Sequence, residues 1–171
     1  MITVIGSIDN ASIWDTTYHL IFTKEEIYQF LVMDKKERFS DLYYSYMDNP
    51  LRMAPVEGEI SSYKVNQDAV RNLVTENLER GKEIEANLES KLKEVPPKFT
   101  VIQCSSTDRV ELTNGTPFSL PHLLMESKGE KIKFNLVHNN FKGRGKLQDE
   151  VFLSYENILR EIFGDKLTVK N

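Results

Sequence analysis

Apolar residues along this chain recur with two periods, and each predicts a different kind of element. The cleanest period of two lies at 131–138. Ile132, Phe134, Leu136 and His138 share one side there, and Lys131, Lys133 and Asn135 the other, as in a half-buried strand. Residues 99–104, 108–113 and 120–126 are weaker strands, with turn chemistry at Asn114-Gly115 and Ser127-Lys128-Gly129-Glu130. Pro121 places the third of these at a sheet edge, because proline cannot donate to a ladder. Residues 2–5 form a β-branched run that predicts a short edge strand ended by Gly6-Ser7, with a turn at Asp9-Asn10-Ala11-Ser12. Trp14 follows, as a plug for one end of the core. The densest apolar run, 18–32, has two readings. Thr23-x-x-Glu26 is a helix capping box, with Ile27, Phe30 and Leu31 at helical spacing. Yet the run is β-branched and aromatic on both sides of a polar turn, and a helical stripe would break at Asp34-Lys35-Lys36. The spacing predicts a hairpin.

The longer period dominates elsewhere. Over 66–94, Val70, Val74, Leu78, Gly81, Ile84, Leu88 and Leu92 step by three and four, with Val95 just beyond, charges around them and Pro96-Pro97 as a stop. Asn66 or Asp68 would cap the start. About 29 helical residues span roughly 43 Å, as much as a compact domain of this size is wide. A stripe so narrow touches one surface, the chain's own sheet or a second subunit. Ile84, Leu88 and Leu92 are expected to extend past the sheet into water. Gly81, unfavourable in mid-helix by about 1 kcal/mol relative to Ala, suggests close approach of another backbone. These four residues are the candidate interface of a two-fold homodimer. Phe39, Leu42, Tyr43 and Tyr46 predict a shorter helix within 34–47. Residues 147–163 form an amphipathic helix with Leu147, Val151, Tyr155, Ile158, Leu159 and Ile162 on its apolar side and Gly164 as its C-terminal cap.

Composition narrows the class without naming a function. A chain of 171 residues, 40% hydrophobic and 28% charged, fits one ordinary globular domain. A formal charge of −4 gives no bulk attraction to nucleic acid or to an anionic membrane. One cysteine, Cys104, excludes an intrachain disulfide and fits a reducing compartment. With neither a signal-peptide pattern nor an apolar run long enough to span a bilayer, the chain is expected in the cytoplasm.

Candidate chemistry is sparse. Nucleotide-binding glycine motifs, a nucleophile elbow and the zinc-protease helix are absent, so no catalytic residue and no cofactor is implied. His19, His122 and His138 lack metal-ligand spacing, and no metal site is assigned. Cys104 is expected as a small buried residue on a strand rather than a nucleophile. The exception is the loop 142–146, where Lys142, Arg144 and Lys146 alternate with glycines just before a helix. With His138 they form the one candidate anion site, for a phosphate or nucleic-acid contact; the alternative is a solvated loop.

The opening YHLIFTKEEIYQFLV, together with the strands, Lys-Gly turn and closing helix after residue 105, resembles small prokaryotic proteins with a pleckstrin-homology-like or GRAM-like fold. The resemblance implies an α+β fold: an antiparallel sheet or partly open barrel closed by a C-terminal helix, in a single domain of 1–171, from which residues 34–95 depart as a long helical insertion. It further implies a non-enzymatic interaction or scaffolding module, with a protein partner or self-association. Phosphoinositide-binding members carry a basic first loop, whereas Lys24-Glu25-Glu26 is net acidic here. The alternative function is a small enzyme or a phosphate- or nucleic-acid-binding protein using the loop 142–146.

Overall fold

The computed structural model describes residues 1–13, 16–34, 60–116, 119–138, 141–142 and 146–171, with side chains left aside for 60–70 and 141–142. The expected Trp14 plug and the helix within 34–47 lie outside the described residues. The architecture is α+β, built on a mostly antiparallel, open sheet of eight strands. In chain order the strands are β1 (Gly6–Ile13), β2 (Thr16–Phe22), β3 (Glu26–Met33), β4 (Phe99–Gln103), β5 (Arg109–Thr113), β6 (His122–Ser127) and β7 (Glu130–Leu136). A two-stranded ladder, β8 (Phe141–Lys142) with β9 (Lys146–Leu147), follows, and β10 (Leu167–Lys170) ends the chain. The spatial order is β10-β5-β6-β7-β1-β2-β3-β4, so two meanders join through β1 and β7.

The run 18–32 is a hairpin. Tyr18 to Phe22 pairs antiparallel with Leu31 back to Ile27. The residues that suggest a helix cap make the turn instead. Thr23 Oγ1 donates to the Glu26 carbonyl at 2.8 Å and accepts from the Glu26 N–H at 3.0 Å. A capping box and a four-residue hairpin turn share this need for a hydroxyl three residues before an N–H, and the β-branched flanks decide between them. The β6–β7 turn places Lys128 and Gly129 at φ 52° and 81°, the two left-handed positions of a tight hairpin.

Two expectations about strands need correction, and one strand is unforeseen. The N-terminal strand begins where the sequence predicts its end: β1 runs through Gly6-Ser7 and through the supposed turn. Asp9-Asn10 is a bulge inside it, marked by a register shift between Ile8 and Ala11 and by Asn10 at φ 51°. Turn-forming residues also build bulges, because both require a left-handed residue. Next, β6 is not an edge strand. It lies between β5 and β7, and Pro121 precedes it, with its carbonyl accepting from Leu136 N–H at 2.8 Å. Lastly, β10 is not foreshadowed in the sequence. It pairs parallel to β5, a partnership between distant segments that no local pattern encodes.

The helices cover opposite faces. Helix α1 (Ile60–Ala86) is separated from the short α2 (Leu88–Lys91) at Asn87, whose side chain donates to the Glu83 carbonyl at 3.0 Å. The helical run thus starts six residues before the expected Asn66 cap and breaks where an asparagine competes for backbone bonds. Helix α3 (Asp149–Phe163) ends at Gly164, as expected, with φ 52°. Phe152, Tyr155, Ile158, Leu159 and Phe163 of α3 join Ile8, Leu20, Phe22, Ile27, Leu123 and Phe134 in the main core. Helices α1 and α2 lie on the other side: Leu73 and Val74 pack with Met33 and Val137, and Ile84 of α1, Leu88 of α2 and Leu92 just past it with Ile21, Tyr28, Phe30 and Phe99. Strands β1 to β3 are therefore buried on both faces, with β3 and β4 adjacent although residues 34–98 separate them in the chain.

Candidate functional site

The helical stripe is covered by the chain's own sheet. Leu88 is buried against Ile21 and Phe30, with Ile84 and Leu92 beside it, so these residues do not form the watery patch expected of them. The expectation fails because the sheet, down to Phe99 of β4, covers Ile84, Leu88 and Leu92 once the helical run lies across it. Close approach at Gly81 is real, but to a side chain and not to a backbone. A Cβ there would stand 2.3 Å from Nδ1 of His19.

His19 belongs to a buried polar seam between sheet and helix. It is 1% exposed, and neither ring nitrogen has a hydrogen-bond partner among the described residues. Its Nε2 lies 3.6 Å from Glu85 Oε2, too long for a full hydrogen bond and short enough for an electrostatic contact. The His19 imidazole is the main cause holding the Glu85 carboxyl below its usual range, while partial burial opposes the shift. Further along, Asn10 Nδ2 donates to the Val74 carbonyl and Asn77 Nδ2 to Asn10 Oδ1, both at 3.1 Å. The two residues of the β1 bulge serve opposite helices. Asn10 meets α1, and Asp9 accepts from Tyr155 of α3 at 3.0 Å. Enclosed in this way, the seam fixes the seat of α1 and offers no substrate access.

Cys104 lines a cleft of about 420 Å³ with Lys24, Glu25, Gln103, Ser105, Ile162, Phe163 and Lys166. Burial, aided by Glu26, pushes its thiol up to about 11, so it is held protonated and unreactive near neutrality. Lys166 is committed to the Thr107 carbonyl at 2.9 Å. His122 is half-buried on β6 with its pKa lowered by burial, and among the described residues no three His, Cys, Asp or Glu side chains gather into a metal site. In the basic loop, Lys142 and Lys146 stand opposite each other in the β8–β9 ladder, and His138 is half-buried just past β7. Arg144 and its flanking glycines lie outside the described residues.

The distinctive feature is the outer edge of β4. The two edges of the sheet differ in chemistry. The opposite edge, β10, carries Lys170, which reaches inward to Glu111 of β5 at 3.1 Å, and Glu111 also meets Arg109 of β5 at 2.8 Å. Strand β4, Phe-Thr-Val-Ile-Gln, contains no charge and no proline, and among the described residues it pairs with β3 alone. Val101 is 41% exposed. Phe99 is anchored by ring contacts to Phe30 at 5.1 Å and to Tyr28 at 5.9 Å. Tyr28 in turn donates to Glu26 at 2.6 Å, and Gln103 Nε2 to the other carboxylate oxygen at 3.0 Å. The edge is thus held straight from within.

Hydrogen-bond parity shows which groups face out. Cys104 N–H donates to the Glu25 carbonyl at 2.9 Å and continues the β3–β4 ladder. Inward bonding alternates along an antiparallel strand, so Thr100 and Ile102 also bond β3, and Phe99, Val101 and Gln103 turn their backbone groups outward. The outward Gln103 carbonyl accepts from Ser106 and Thr107 hydroxyls, each at 3.1 Å. Beyond Phe99, β3 continues without β4. A notch of about 270 Å³ opens there, lined by Phe30, Leu31, Arg80, Ile84, Lys91 and Lys98 among others. Leu31 is 45% exposed, and Arg80 donates to the Val32 carbonyl. Sequence reasoning misses this edge, although the absence of charge over 99–103 is its available signal.

No helix among the described residues is long and apolar enough to cross a membrane. Comparison with protein-family models, with curated proteins and with solved structures finds no match to this chain.

Proposed function

We propose that this chain is a non-enzymatic interaction module, placed in the cytoplasm, that takes an extended polypeptide strand onto the outer edge of β4. The observation that carries the reading is the outer edge of β4. It presents an uncharged strand with outward backbone groups and an exposed valine. Unpaired N–H and C=O groups at an edge template another strand, and natural proteins cover or charge edges that serve no such purpose. The meander of β5 to β7, the Lys128-Gly129 turn and the helix α3 after it support the pleckstrin-homology-like resemblance, which points to the same class of function.

The test is selection from a displayed random-peptide library on sparsely immobilised protein, with Val101→Pro as the control. Because the Val101 N–H points away from β3, proline there removes the outward donor and spares the β3 ladder. The expected result is enrichment of extended, largely uncharged peptides that lose binding to Val101→Pro. Equal enrichment on both proteins, or none, overturns the reading.

A further inference from the structure

We infer that the strand taken by β4 is the β4 of a second copy, paired antiparallel about a two-fold axis through Val101. The inference rests on the edge reading above and names the occupant of the same site.

The edge is its own complement. With Val101 opposite Val101 of the copy, the outward groups of the two valines exchange both backbone bonds, the narrow pair of an antiparallel ladder. On either side, the Gln103 N–H reaches the Phe99 carbonyl of the copy. The side chains obey the same symmetry. On the α1 face, valine meets valine and Phe99 lies against Gln103. On the α3 face, Thr100 lies against Ile102. No charge opposes a like charge within the strand, as self-pairing requires.

Charge at the two ends favours the same arrangement. Exposed Lys98 precedes the strand, and the net-acidic turn Lys24-Glu25-Glu26 lies beside its far end, where Cys104 bonds Glu25. Antiparallel two-fold pairing places Lys98 opposite Cys104 of the copy. The acidic turn of the other chain lies one strand beyond Cys104, so each cation sits two strand spacings from it, about 10 Å, roughly one screening length at 0.1 M ionic strength. Pairing in the parallel sense would instead set Lys98 beside Lys98. The contact is isologous, so it closes at two copies and does not propagate into a fibre.

Sedimentation equilibrium of the full chain, alone and with Val101→Lys, Val101→Glu and their mixture, tests the inference, with circular dichroism melts to confirm folding. The wild type should sediment at twice its chain mass of 19.8 kDa. Each variant alone places like charges opposite each other and should dissociate about tenfold more readily or beyond. The mixture should associate more tightly than either variant alone, because only the two-fold register sets Lys against Glu at this position. A monomeric wild type overturns the inference, as does a dimer indifferent to both substitutions or a mixture no tighter than its components. Should one variant fail to fold, the Val101→Pro chain at the same concentrations takes its place: it should be monomeric, and a Val101→Pro dimer overturns the inference. A monomer that still selects peptides through Val101 removes the second copy and leaves the edge reading intact. A monomer that selects none removes both.

Discussion

Replacing Gly81 by Ala sets two effects of opposite sign against each other. On helix propensity alone, Ala in mid-helix is worth about 1 kcal/mol over Gly. The added methyl, however, would stand 2.3 Å from His19 Nδ1 and 2.6 Å from both Cγ and Cε1. Ordinary contact begins near 3.4 Å, so either the ring or the helix must yield by about an ångström. His19 is 1% exposed and held between β1, β3 and α1, which leaves the imidazole little room. Overpacking of this kind typically costs about 1–3 kcal/mol, and an approach this short belongs at the upper end. The expected net effect is therefore a loss of about 1–2 kcal/mol. Urea denaturation followed by circular dichroism reads it as a lower midpoint at unchanged slope. The decisive measurement is the same substitution in a His19→Ala background. With the ring gone, only the propensity term remains, and Gly81→Ala should stabilise by about 1 kcal/mol. The sign reversal is a coupling of about 2–3 kcal/mol, at the high end for residues in contact. A Gly81→Ala protein at least as stable as the wild type would refute the reasoning, and so would a loss that persists without the imidazole.

Two titrations follow from burial. Desolvation, reinforced by the Glu26 carboxylate, raises the Tyr28 hydroxyl to about 12 from an ordinary 10.0. The folded state thus holds this proton more tightly than the unfolded chain. Its contribution is complete below pH 10 and is lost as pH rises toward 12, so the alkaline limb of stability should flatten in Tyr28→Phe. The Cys104 thiol, raised to about 11 from 9.0, should react with iodoacetamide about a hundredfold more slowly at pH 8 in the native protein than in urea, from thiolate fraction alone. Equal rates in the two conditions would show that the fold does not raise the thiol.

Local pattern determined a good deal of this protein. The alternation at 131–136, the β-branched flanks of Thr23 and the stripe ending at Gly164 each encode an element through residues close in sequence. Backbone periodicity needs nothing more. The identity of Asp9-Asn10 as a bulge was not legible, because the residues that allow a turn also allow a left-handed residue within a strand. Whether Pro121 marked an edge depended on strand order, which is a property of the sheet and not of the strand. The stripe through Ile84, Leu88 and Leu92 declared a need for cover, but only the placement of α1 across β1 to β3 showed that the sheet meets it. Gly81 stands out in the sequence for its helix cost, and its reason is an imidazole more than sixty residues away along the chain. The candidate edge lay in plain sight as five uncharged residues. It gained meaning only when the fold left β3 on one side of it and, among the described residues, no strand on the other. Exposure, adjacency and the direction of unpaired backbone groups arise when distant segments pack, so no reading of neighbouring residues can supply them.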